Sequence, residues 1–174
     1  MKGNFYSNPL KLIWIARLNL LPVYLFIIWI LICCILLLGS IIFDFINFES
    51  FNIANFFTAS ITGLTFTLAI FTAERNVFKI DELKVLAEYK GEKDKYEGKA
   101  LLEFFGPFVF TALIFLTTGL LALIVPFINV RVCSDVSDFF IQSYLDILVL
   151  GLFSLFNLVV TILNDVYHAI NRES

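Results

Sequence analysis

One histidine, one methionine and three cysteines in 174 residues leave few groups from which a chemical site can be assembled. With His168 the only imidazole, neither a multi-histidine metal centre nor a histidine-based carboxylate relay fits within one chain. The cysteines do not fill the gap. Cys33 and Cys34 are adjacent, so on a helix they point about 100° apart, and Cys133 lies far along the chain from both; no intramolecular bridge is expected. No enzyme, metal or nucleotide motif stands out, and a non-enzymatic protein with no cofactor is expected. Charge is scarce too: 12 Lys and Arg against 15 Asp and Glu give a net charge of −3. That balance predicts neither a nucleic-acid surface nor a strong patch for anionic lipid.

What the chain has instead is apolar length. Hydrophobic residues make up 60% of it, concentrated in four stretches at about 22–43, 55–73, 106–128 and 139–163. At about 1.5 Å per residue each covers the roughly 30 Å hydrocarbon core of a bilayer. The expected fold is all-α: an integral membrane protein of four helices, forming a single membrane domain over 1–174 with a cytoplasmic segment at 74–105. The first stretch is too long for a secretory leader and has no small-residue cleavage site, so it is expected to stay as a span. Placing both termini and the 74–105 segment on one side collects every Lys and Arg there except Arg131. By the positive-inside rule that side is the cytoplasm, which predicts a multi-pass protein of the bacterial inner membrane with both termini inside.

The segment 8–21 (NPLKLIWIARLNLL) is apolar with Lys11 and Arg17 interspersed and runs into Pro22. Added to the first span it overshoots the bilayer, and proline breaks the helix that precedes it. An interfacial helix followed by an elbow is expected, with Trp14 at headgroup level; one long tilted first span whose basic residues snorkel is the alternative. Between spans two and three, Ile80, Leu83, Leu86 and Ala87 recur at helical spacing among charged residues, ended by Gly91. A second helical piece, 93–105, follows, completing a cytoplasmic helical hairpin. Phe78, Ile80, Leu83 and Leu86 make its apolar edge, the expected contact for a cytosolic partner protein. A solvated connection is the plainer alternative.

Polar groups within lipid are costly, so their placement around each helix carries information. Thr58, Thr62, Thr65, Ala69 and Thr72 fall within about 80° of one another on span two, and Ala59 with Gly63 adds a small-xxx-small step. Close helix packing explains such a face, with hydroxyls bonding their own carbonyls or a neighbour's; a pore-lining stripe is the functional reading. On span four Gln142, Ser143, Asp146, Ser154, Asn157, Thr161, Asn164 and His168 share a face about 120° wide. Asp146 is the one acid placed clearly inside a span. These two faces predict a homo-oligomer, with a tetramer the best guess.

Known four-span architectures narrow the field. Small multidrug exporters need an acid in the first span and thiol-type quinone reductases need C-x-x-C; the chain has neither. The run NFFTASITGLTFTLAIFTAERNVF, residues 55–78, is a small-residue-rich span leading straight into a charged cytoplasmic helix. In this it resembles compact membrane proteins of bacterial anti-phage defence loci, among them the membrane subunit of the Kiwa system. The resemblance implies a subunit that oligomerises, senses or executes at the inner membrane, and works with a cytosolic partner. Length, span count and topology are also similar to immunity proteins against pore-forming bacteriocins, and a small ion channel is a third expectation.

Overall fold

The computed structural model describes residues 8–41, 46, 48, 50–77, 80–91, 98–128 and 134–172. Phe78, Lys93, Arg131 and Cys133 lie outside them. The described residues form six α-helices: α1 (Pro9–Ala16), α2 (Val23–Ile41), α3 (Phe57–Val77), α4 (Ile80–Glu88), α5 (Lys99–Ile124) and α6 (Ser134–Arg172). α2, α3, α5 and α6 are long and apolar enough to cross a membrane. The protein is therefore all-α with four candidate membrane spans.

Local chemistry sets the ends. Asn8 caps α1, its Oδ1 accepting from the backbone N–H of Leu10 (3.0 Å) and Lys11 (3.2 Å), with Pro9 in the first turn where its missing N–H costs nothing. Pro22 separates α1 from α2, and the carbonyl it contributes accepts from Phe26 N–H at 3.1 Å. A 3₁₀ turn at Ile53–Phe56, capped by Asn52 Oδ1 on Ala54 N–H (3.0 Å), leads into α3. Gly98 adopts φ 73°, a left-handed conformation that glycine enters without strain, and its N–H donates to Tyr89 O (3.0 Å). That bond ties the end of α4 to the start of α5.

Two helices run on past the lengths expected for them. α5 begins at Lys99 and continues unbroken through Pro107. α6 has 39 residues, about 58 Å of helix, nearly twice the hydrocarbon thickness.

α5 is the axis of the bundle and packs against α1, α3, α4 and α6, whereas α2 rests mainly on α6. Close approach depends on glycines. Phe115, 1% exposed, lies over Gly63 of α3 and near Gly151 of α6, where a methyl group would stand 2.8 Å from Ile114 Cγ2. Gly106 of α5 receives Ala16 of α1, and a Cβ there would collide with the Ala16 methyl. Leu12 and Ala16 are the buried side of α1; Leu10 and Trp14, one turn apart, are exposed. Aromatic clusters close the bundle at both ends. Phe51, Phe56 and Tyr144 meet at one, with Phe56 and Tyr144 edge-to-face at 6.0 Å; Phe71, Phe104, Phe105 and Phe108 meet at the other.

Candidate functional site

The polar residues of α3 divide between two opposed faces. Thr58, Thr62, Thr65, Ala69 and Thr72 are all exposed, covered by no other helix among the described residues. Thr65 and Thr72 return their hydroxyl protons to the carbonyls of Ile61 and Leu68, both at 2.9 Å. This satisfies the donor inside the helix and leaves a smooth, small-residue surface. Gly63 is not part of that surface, because it turns inward against Phe115.

The inward face carries Ser60, Gly63, Thr67 and Glu74, at heptad-like spacing, and all are buried. Sequence reasoning passed over this stripe. Its signal is a small or polar residue at four inward positions of span two, overshadowed by the denser threonine stripe on the opposite face. Thr67 donates to Gly63 O at 2.8 Å. Ser60 Oγ is enclosed, and the polar group facing it is the Tyr144 hydroxyl.

α6 turns the upper part of its polar face into the bundle. Gln142, Ser154 and Asn157 are buried, Ser143 and Asp146 half-buried, and Thr161, Asn164 and His168 exposed. The expected face is thus inward only as far as Asn157; beyond it Thr161, Asn164 and His168 turn outward, while Asp165, on another side of α6, faces α3. Ser154 Oγ and Thr111 Oγ1 share a hydrogen bond of 2.6 Å between α6 and α5, and Thr111 also reaches Pro107 O at 2.7 Å. Pro107 has no N–H and leaves the helix ladder one donor short there. Tyr144 Oη donates to Thr118 O at 3.4 Å, a second link between the same helices.

Asp146 meets α2. The Trp29 indole N–H donates to the Asp146 backbone carbonyl at 2.9 Å, and Cys33, one turn further along α2, presents its thiol to the Asp146 carboxyl. One carboxyl oxygen, Oδ1, is enclosed with no hydrogen-bond partner among the described residues. Cys33 and Cys34 are free thiols.

A second acid is enclosed on α3. Glu74, assigned from the sequence to the cytoplasmic segment, belongs to α3, which runs on to Val77, and is 1% exposed. The side chain facing it is Asp165 of α6.

On α4, Leu83, Leu86 and Ala87 are half-buried and Ile80 is exposed. Since α4 packs on α5, the half-buried side is the one turned toward its own chain. Val85 (66% exposed) and Tyr89 (55%) join Ile80 (70%) as the apolar groups α4 offers outward; neither was expected at that edge. Among the described residues, no group of three or more His, Cys, Asp and Glu side chains gathers that could hold a metal ion.

No family of known proteins, no curated protein and no solved structure matches this chain.

Proposed function

We propose that this chain is a non-enzymatic, self-associating subunit of the bacterial inner membrane that acts with a cytosolic partner protein in anti-phage defence. The observation that carries the reading is the exposed face of Thr58, Thr62, Thr65, Ala69 and Thr72. A small-residue face, with the Thr65 and Thr72 hydroxyls bonded within their own helix, lets a second helix approach closely. A second copy of the chain, in a tetramer or another closed ring, is the natural cover.

Orientation follows from the charges: eleven of the 12 basic residues share the side of both termini. On that side α1 serves as an interfacial helix. Leu10 and Trp14 face the acyl chains, and the Arg17 guanidinium sits 4.6 Å from the Trp14 ring centroid, at the level of the headgroups. α4 and the start of α5 form the cytoplasmic hairpin, which offers Ile80, Val85 and Tyr89 to a partner. Leu83 and Leu86 contribute by holding α4 on α5.

The test combines labelling, association and phenotype. Cys133 is expected to react with an impermeant maleimide on intact cells, while tags at either terminus become accessible only after permeabilisation. Thr62→Leu should lower the oligomer recovered by cross-linking in lipid discs, and Ile80→Asp with Val85→Asp should release the partner and abolish protection from phage. A parent chain that stays monomeric at high concentration in lipid overturns the self-association. Harmless expression combined with protection against a pore-forming bacteriocin replaces defence with immunity, and ion flux from the purified protein alone replaces it with a channel.

A further inference from the structure

The α3–α6 contact encloses an acid that packing alone does not require. Glu74 is 1% exposed, and neither carboxyl oxygen meets a hydrogen-bond donor among the described residues. The group facing it is another carboxyl, that of Asp165. Among the described residues, the cations on the neighbouring elements are turned outward or engaged. Arg75, the next residue of α3, and His168 of α6 are exposed. Lys99 of α5 lies 3.2 Å from Glu103, Lys84 of α4 lies 3.4 Å from Asp81, and Arg17 sits over Trp14.

Two ionised carboxyls face to face, one of them buried and the other half-buried, repel because little screens them. A cation between them removes the conflict. A divalent metal ion of the magnesium or calcium type takes six or more oxygens, and no third acidic, histidine or cysteine side chain joins the pair among the described residues. A proton needs one oxygen from each. We propose that Glu74 and Asp165 form a proton-binding site, in which a single proton bound to one carboxyl is donated as a hydrogen bond to the other and joins α3 to α6. Uptake takes one proton from solvent onto a carboxylate oxygen and release returns it; no other bond changes. Release leaves two anions in contact and drives the helices apart, so the packing of this end of the bundle follows proton concentration. Assigning that end to the cytosol rests on the proposed orientation; the site itself does not.

Infrared spectroscopy of the full chain in lipid discs tests this directly. The parent at neutral pH is expected to show the carbonyl band of a protonated carboxyl, shifted in D2O. Glu74→Gln should abolish the band, Asp165→Asn should move its loss to lower pH, and Asp146→Asn should leave it. The folded pair holds a proton that the unfolded chain lacks at neutral pH, so stability falls as pH rises from the ordinary carboxyl range. The parent's melting temperature should therefore drop with rising pH, and that of Glu74→Gln should drop less. If Glu74→Gln does not fold, Asp165→Asn supplies both readouts, and the band of the parent stands by itself. Absence of the band from the parent, its survival in Glu74→Gln, or its loss at the parent's pH in Asp165→Asn overturns the proposal. So does a parent without the band that is stabilised by sodium or magnesium at fixed pH, which assigns the pair to a metal ion.

Discussion

Replacing Gly63 with alanine separates packing inside one chain from packing between chains. A Cβ at position 63 would stand 2.5 Å from Phe115 Cζ and 2.6 Å from Cδ1. The ring has little room to retreat: Phe115 is 1% exposed, and a Cβ built on Gly151 would already stand only 3.3 Å from the same ring. Either the ring leaves its rotamer or α3 moves off α5, and overpacking of this kind costs about 1–3 kcal/mol. Gly63→Ala should therefore lower the stability of the protomer by that amount, measured by reversible unfolding in mixed micelles. Shortening the ring with Phe115→Leu should return part of the loss, giving a double-mutant coupling of about 1 kcal/mol. Thr62→Leu, one residue away but on the exposed face, should change protomer stability by no more than about 0.5 kcal/mol. A Gly63→Ala protein as stable as the parent, or strict additivity with Phe115→Leu, refutes the packing described for α3 and α5.

Two further outcomes follow from the same helix contacts. Gly106→Leu places a branched side chain where Ala16 rests, so α1 should lift from α5. Amide hydrogen exchange across Pro9–Ala16 should rise while that of α5 beyond Thr111 stays near the parent's. Ser154→Ala removes the 2.6 Å link to Thr111 but leaves Thr111 its bond to Pro107 O, so the loss should be modest, about 0.6 kcal/mol as for typical hydrogen bonds between membrane helices. A loss above about 2 kcal/mol in the same unfolding assay would mean that the buried hydroxyl pair acts as part of a larger network.

Much of this architecture was legible in the linear chain because bilayer thickness and helical rise convert directly into residue counts. The four apolar runs, the break at Pro22 and the amphipathic spacing of Ile80, Leu83 and Leu86 each carry a local signal, and α1 to α6 appear where those signals lie. Helix ends were less visible. α5 crosses Pro107, and α6 extends to 39 residues, because a helix continues as long as its own backbone bonds can form, past the point where an apolar run ends.

Which side of a helix faces inward is a different kind of information. Around span two the threonines and the Ser60–Gly63–Thr67–Glu74 row are equally acceptable inner faces by residue type. Only the position of Phe115 against Gly63 selects the second row and leaves Thr58, Thr62, Thr65 and Thr72 outside. The same contact decides the environment of Glu74, which by sequence follows an apolar run and reads as the first charge beyond it. Sequence by itself determined the number of long apolar helices, since hydrophobic burial in lipid depends on composition summed along one helix. Tertiary structure alone decided the pairing of Glu74 with Asp165 and of Asp146 with Trp29 and Cys33, since those contacts depend on how helices far apart in the chain are rotated against one another.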